Sequence, residues 1–197
     1  MNHRRLRALL WILVAIAALF GVMVAVQRPS TDADQTALAT IGGPFTLTGS
    51  DGRTFHSARL NGRPAAIFFG FANCPDVCPT TLARLTKLRR QLGKGDEALS
   101  ILFITVDPER DGPAEVGSYA KLFNAPVIGL TGSPADIERV KKQFGAFSQK
   151  VEQPGGGYSV DHTASVFLMD RNGKFVATLS PEEGDGVALA KLQRLIA

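Results

Sequence analysis

The sequence predicts an α/β domain, a central mixed sheet with helices on both faces, behind one N-terminal transmembrane helix. Three observations predict it. The mainly apolar runs Ala65 to Phe69 and Ser100 to Val106 have the composition of strands covered on both faces. Segments with apolar residues at helical spacing alternate with them, as in a layered α/β domain. A stretch without charge, Ala8 to Val26, precedes everything else.

At about 1.5 Å per residue, that stretch can cross a hydrocarbon core of roughly 30 Å. Arg4, Arg5 and Arg7 stand before it, so the positive-inside bias puts the N-terminus in the cytoplasm and the rest outside. A cleaved signal peptide is the competing reading. Its apolar core is usually shorter, and Val24-Ala-Val-Gln-Arg28 offers only a poor cleavage site. The span begins too early for an organelle presequence, so a bacterial inner membrane is expected, crossed once, with the C-terminal domain in the periplasm. Residues 1–27 are thus read as an anchor and the polar residues 28–40 as a flexible linker. Residues 41–197 form one compact domain, long enough for a proper core.

Within that domain, Phe45-Thr-Leu-Thr and Arg53-Thr-Phe-His flank Gly49-Ser-Asp-Gly52, a hairpin signal. The strand Ala65–Phe69 leads into a helix over Thr80–Leu92 with the apolar stripe Leu82, Leu85, Leu88 and Leu92. After the strand Ser100–Val106 comes a helix over Pro113–Phe123, Pro113 suiting its first position. A short strand spans Val127–Leu130, and Ser133 caps the next helix. Thr163–Met169 and Lys174–Leu179 form a hairpin around Asp170-Arg-Asn-Gly173, and a last helix runs from about Gly186 to Leu195. This is the order of a thioredoxin-like domain.

The chain carries 22 Lys and Arg against 18 Asp and Glu, a net charge of +4. Setting aside the three arginines before the span leaves the rest nearly neutral. No nucleic-acid footprint is visible, since that needs basic residues clustered on one face. Arg89-Arg90 and Lys141-Lys142 read as solvated helix faces.

The only cysteines stand in Phe71-Ala-Asn-Cys74-Pro-Asp-Val-Cys78-Pro-Thr80, at the join between a buried strand and a helix. Pro79 lacks an N–H and belongs in the first turn of that helix. Cys78 then lies near the cap and Cys74 in the turn before it. The positive end of the helix dipole should lower both thiol pKa values. A small structural disulfide is the plain alternative, but closing so short a loop gains only about 2 kcal/mol.

Two thiolates side by side suit a soft metal ion or electron exchange. Soft sulfur selects Cu(I), zinc or iron–sulfur clusters. Clusters and closed zinc sites want four ligands, whereas copper is content with three. A third donor is therefore sought among three histidines. His3 precedes the span and His56 reads as a surface residue. His162, in Tyr158-Ser-Val-Asp-His162-Thr, stands at the entrance to a buried strand, where its loop can fold over the thiols. Asp161 could orient its ring or be an exposed carboxylate. Asp107 could lie near the thiols, or Asp107 and Asp111 could cap the turn and the following helix, which is preferred. Met169 reads as core.

Three segments together, Gly70-Phe-Ala-Asn-Cys74-Pro-Asp-Val-Cys78-Pro-Thr80, Val106-Asp-Pro-Glu-Arg-Asp111 and Tyr158-Ser-Val-Asp-His162-Thr163, resemble the signature segments of the Sco/SenC proteins. The resemblance runs from Gly42 to the C-terminus. Departures are small: Gly112 stands where family members often have Thr, and Thr163 where they often have Ser. The resemblance implies a membrane-tethered copper chaperone with one copper ion held by Cys74, Cys78 and His162. It implies as partner the cytochrome c oxidase subunit that carries the dinuclear copper A centre. It further admits a second periplasmic copper chaperone, or a thioredoxin-like reductant, and a role in keeping the acceptor thiols reduced.

Rival functions remain open. A thioredoxin-type thiol–disulfide oxidoreductase fits the fold, but those enzymes use Cys-x-x-Cys, one residue tighter. A peroxiredoxin-type peroxidase would want Thr where Pro75 stands. A structural assembly factor with incidental thiols is the non-catalytic possibility.

Overall fold

The computed structural model describes residues 41–60 and 62–197, together with Arg7, Trp11, Leu13, Ile16, Ala17, Leu19, Phe20 and Met23, which are helical. The chain divides into two units, Met1–Ala39 and Thr40–Ala197. Apart from those eight positions, the expected anchor and linker lie outside the described residues. Among the described residues, no helix is long and apolar enough to cross a membrane.

In the second unit the order is β1 (Thr46–Gly49), β2 (Thr54–His56), β3 (Ala65–Gly70), α1 (Val77–Gln91), β4 (Ser100–Thr105), α2 (Pro113–Lys121) and β5 (Ile128–Thr131). Then come α3 (Pro134–Phe144), β6 (Ser148–Glu152), β7 (Tyr158–His162), β8 (Val166–Met169), β9 (Phe175–Leu179) and α4 (Asp185–Ile196). Seven strands form one sheet in the order β2-β1-β5-β4-β3-β8-β9, while β6 and β7 make a separate ribbon. β3, β4 and β5 run parallel, and β1 and β8 join antiparallel. The sheet is therefore mixed, as expected.

Alternation along the strands explains the two helical layers. Phe68 and Phe69 point to opposite faces because side chains alternate along a strand. On one face Phe103 packs against Tyr119 of α2, with ring centroids 4.9 Å apart. On the other, Phe69 and Phe167 meet Phe144 of α3 at 5.6 and 5.7 Å. Helices thus cover both faces.

Register decides where the chemistry falls. β3 and β4 pair parallel down to Gly70 opposite Thr105, so the loops after both strands leave the sheet side by side. β8 pairs antiparallel with β3, Ile67 opposite Phe167 and Ala65 opposite Met169. The chain entering β8 therefore arrives at the end of the sheet from which the cysteine loop departs.

Boundaries shift modestly from expectation. α1 starts at Val77 rather than Thr80, and the last hairpin's first strand starts at Val166 rather than Thr163. Pro113 does open α2, and the Ser133 hydroxyl accepts from the Asp136 amide at 3.1 Å. The β6–β7 ribbon was not foreseen, because its residues Ser148-Gln-Lys-Val-Glu152 carry no apolar run. Arg89 and Lys141, expected on solvated faces, are buried at 2 % and 5 % exposure. Arg89 follows Leu85 by four residues and so shares its inward face. There it donates to the carbonyls of Pro126 at 2.8 Å and Leu99 at 3.3 Å. Lys141 lays its stem along apolar surface and pairs with Glu138.

Candidate metal centre

β3 ends in Gly70, and the missing side chain leaves room for sulfur. A Cβ there would stand 2.7 Å from Cys78 Sγ. The loop that follows is tied back by two bonds: the Cys74 amide donates to the Phe71 carbonyl at 3.2 Å, and the Ala72 amide to Asp111 Oδ2 at 2.8 Å. Cys74 is half-buried. Cys78, the second residue of α1, is fully buried. Pro79 takes the third position, where no intrahelical N–H bond is lost.

His162 closes β7 and comes over the same loop. Its Nε2 lies 3.4 Å from Cys78 Sγ, and its Nδ1 lies 3.1 Å from the Thr163 carbonyl. That oxygen can only accept, so Nδ1 carries the proton and Nε2 turns its lone pair toward the sulfurs. The ring stands edge-on to Phe68 and Phe71, with centroids 5.9 and 5.8 Å away. Cys74, Cys78 and His162 each offer one donor atom, all within 4.8 Å of one another. Three donors about 2.0–2.3 Å from a shared ion stand roughly 3.5–4 Å apart. The trio fits one soft ion with little movement.

Electrostatics overturn one expectation. The Cys78 thiol is not acidified by the helix end but pushed well above its ordinary value. Burial is the largest cause, and Cys74 and Asp111 add to it; a bond involving the Phe71 backbone works the other way. A dipole worth a few tenths to 1 kcal/mol cannot outweigh the loss of water from a buried thiolate. Cys78 thus keeps its proton in the reduced, metal-free protein. Burial also lowers the His162 pKa below 6.5, opposed by the carbonyls of Thr163 and Phe69 and the charge of Asp161. The ring is neutral at pH 7, the form that ligates metal.

The remaining acidic residues sort themselves. Asp161 is exposed, and the ring nitrogen it could have oriented is held by Thr163 instead. Asp107 and Asp111 are both buried at 1 % exposure, so neither is a simple solvent-side cap. Asp111 Oδ2 accepts from Thr105 Oγ1 at 2.7 Å as well as from Ala72. Asp107 pairs with Arg110 and accepts from Tyr158 Oη at 3.0 Å. Burial raises the Asp111 pKa, partly countered by its two hydrogen bonds. Arg110 and Tyr158 were not singled out from the sequence. Their only signal was membership of the middle and last motif segments. His56 is exposed and paired with Thr46, and Met169 is core, as expected. His3 lies outside the described residues.

A family model described as SCO1/SenC matches residues 33–197. An SCO2-like protein of Rickettsia conorii is 38 % identical over 138 residues, covering 69 % of this chain and 67 % of its own. A structure of Bradyrhizobium japonicum ScoI with copper bound is 41 % identical, with a TM-score of 0.71, covering 79 % of this chain and 99 % of its own. BsSco, described as a member of the Sco family of cytochrome c oxidase assembly proteins and structurally studied for a disulfide switch, is 27 % identical. Its TM-score is 0.62, covering 78 % of this chain and 92 % of its own.

Proposed function

The chain belongs to the SCO1/SenC family, with its thioredoxin-like fold, and we propose that it is a periplasmic copper chaperone anchored through residues 1–27. In this reading residues 28–40 tether the domain of residues 41–197 beside its partner, which raises effective concentration. Cys74, Cys78 and His162 hold one Cu(I) ion as cargo. The observation that carries the reading is the convergence of two thiols and a neutral imidazole within 4.8 Å. Copper bound in a solved relative supports it.

Loading replaces the Cys78 proton with metal, so binding releases protons and strengthens as pH rises. Release proceeds by ligand exchange: an acceptor thiolate approaches at half-buried Cys74 while Cys78 stays buried below. The acceptor is the dinuclear copper A centre of cytochrome c oxidase, a partner class consistent with the assembly role described for BsSco. Titrating the intact, reduced chain with Cu(I) should give one tight equivalent, strongly weakened in His162→Ala. Unchanged affinity in that variant would remove the histidine from the site.

A second reading, thiol–disulfide chemistry on the same pair, is favoured by the closeness of the two sulfur donors. Oxidation to a disulfide releases two electrons and two protons to an acceptor disulfide, which is thereby reduced. A reduction potential near those of dedicated oxidoreductases, together with no Cu(I) binding, would select it.

A further inference from the structure

The ribbon that carries His162 shares no strand ladder with the main sheet. β6 and β7 pair only with each other, Ser148 opposite His162 and Glu152 opposite Tyr158. Its tip is Gly155-Gly-Gly157, with φ values of 100°, 100° and 79°. These are conformations that glycine adopts freely, so the tip offers little stiffness. Something else must hold the imidazole at 3.4 Å from sulfur.

Among the described residues, and apart from the contacts of His162 itself, the side-chain hydrogen bonds from this ribbon to the rest of the domain all land on one turn. Tyr158 Oη donates to Asp107 Oδ1 at 3.0 Å, Arg110 Nη1 donates to the Tyr158 carbonyl at 2.9 Å, and Lys150 Nζ reaches Glu109 at 2.6 Å. The Arg110 guanidinium carbon lies 3.9 Å from the centre of the Tyr158 ring. It also lies 5.8 Å from the ring of Phe71, which itself borders His162. From the other end of the same turn, Asp111 accepts the Ala72 amide of the cysteine loop.

We infer that Tyr158, gripped by Asp107 and Arg110, is a positioning residue that sets the reach of His162 to the thiols. The turn from Asp107 to Asp111 is then the gauge between the two halves of the site. Side chains two apart on a strand share a face. Tyr158, Val160 and His162 therefore all turn inward, Val160 at 5 % exposure, while Asp161 turns out. Tyr158 sits about 13 Å along the strand from His162 at roughly 3.3 Å per residue, so fixing it fixes the height and tilt of the whole inward row. Asp107 has a compelling reason to keep the grip: its buried carboxylate finds its side-chain partners in Arg110 and Tyr158. Losing Arg110 leaves a buried charge without compensation, and losing the Tyr158 hydroxyl removes one of its hydrogen bonds.

This inference rests on the copper reading, and its test separates the two. Cu(I) affinity of the intact, reduced chain is measured by competition with a chromophoric chelator in Arg110→Ala and Tyr158→Phe, each with and without His162→Ala. Loss of a group that orients a ligand typically costs 10–100-fold in metal affinity. Arg110→Ala should weaken binding by about ten-fold or more in the parent, and by no more than about two-fold in the His162→Ala background, since coupled residues are non-additive. Tyr158→Phe keeps the ring and loses one bond, so it should fall between parent and Arg110→Ala. Equal losses in both backgrounds would overturn the inference, because the effect would then not run through the histidine. Unchanged affinity in both variants would overturn it too.

A second measurement needs no metal. The His162 ring protons, shifted by the nearby edges of Phe68 and Phe71, should move toward free-imidazole values in Arg110→Ala while β4 amides stay put. Ring shifts that do not move would overturn the positioning role even if copper bound normally. Ring shifts that move in a chain without Cu(I) affinity would uphold positioning and defeat the copper reading.

Discussion

Replacing Gly70 by alanine exchanges one hydrogen for a methyl group at the point where the candidate metal centre meets the sheet. The new Cβ would lie 2.7 Å from Cys78 Sγ and 3.0 Å from carbons of Phe68 and Phe103. Ordinary contact begins at 3.4 Å, so the sulfur must retreat by about 0.7 Å. Phe103 cannot make room easily, because Tyr119 packs behind it at 4.9 Å. Overpacking of this kind costs about 1–3 kcal/mol, which for a domain of this size lowers Tm by roughly 2–12 °C. The effect on copper should be sharper. Metal–ligand distances tolerate only about 0.2 Å, so a displaced thiolate should weaken Cu(I) binding by about ten-fold or more, equivalent to about 1.4 kcal/mol. Thermal unfolding followed by circular dichroism, with Cu(I) competition on the same reduced protein, measures both quantities. Gly70→Ala in the background of Cys78→Ala should recover part of the lost Tm, because the closest clash is gone. A Gly70→Ala protein with parental Tm and parental Cu(I) affinity would refute the packing argument outright.

Three further outcomes follow from buried polar groups. Asp111→Ala orphans the Ala72 amide and the Thr105 hydroxyl, at about 1–3 kcal/mol for each unsatisfied group, and loosens the cysteine loop; Asp111→Asn keeps an acceptor oxygen and should retain most stability in denaturant unfolding. Arg89→Leu should destabilise by a similar roughly 1–3 kcal/mol per orphaned carbonyl, at Pro126 and Leu99, without changing Cu(I) affinity; an unchanged midpoint would show that water replaces the guanidinium. The reduced, metal-free chain should have a stability plateau bounded by two site residues. His162 has its folded pKa below the ordinary 6.5, so its contribution is complete above 6.5 and is lost as pH falls through the folded value. Cys78 has its folded pKa raised above 9.0, so the unfolded chain loses that proton first and stability falls as pH rises past 9.0. His162→Gln should flatten the acid limb and Cys78→Ser the alkaline one, and limbs that persist unchanged in these variants would contradict the assignment.

The sheet was legible wherever burial is two-sided. Ala65–Gly70 and Ser100–Thr105 are buried at every position, and runs of that composition have few other uses. Caps and turns were legible for a local reason: Ser133, Pro113 and Asp170-Arg-Asn-Gly173 act on backbone within a few residues of themselves. The β6–β7 ribbon escaped because only Val160 of its strand residues is buried and its pairing is with itself. Arg89 and Lys141 escaped because residue type was weighed over position: a long cationic side chain on an inward face can find carbonyls or an acid at its tip.

At the candidate site the three converging side chains were legible and their support was not. Cys74, Cys78 and His162 are rare residue types with few reasons to occur, so their presence at a strand end and a strand entrance carries information. Asp107 and Asp111 are of a common type that reads as a turn or helix cap, Arg110 reads as an ordinary surface charge, and nothing local tells a cap from a tie. The distinction is tertiary: Asp111 reaches 39 residues back to Ala72, and Arg110 reaches 48 residues forward to Tyr158. Cys78 shows the same limit in its protonation. Its place at a helix N-terminus implies an acidic thiol, and only its full burial, with Cys74 and Asp111 close by, reverses the sign. A thiol kept protonated until metal arrives is less open to oxidation than an exposed thiolate, since reactivity follows the thiolate form. The burial that defeats the sequence-based expectation therefore also protects the sulfur.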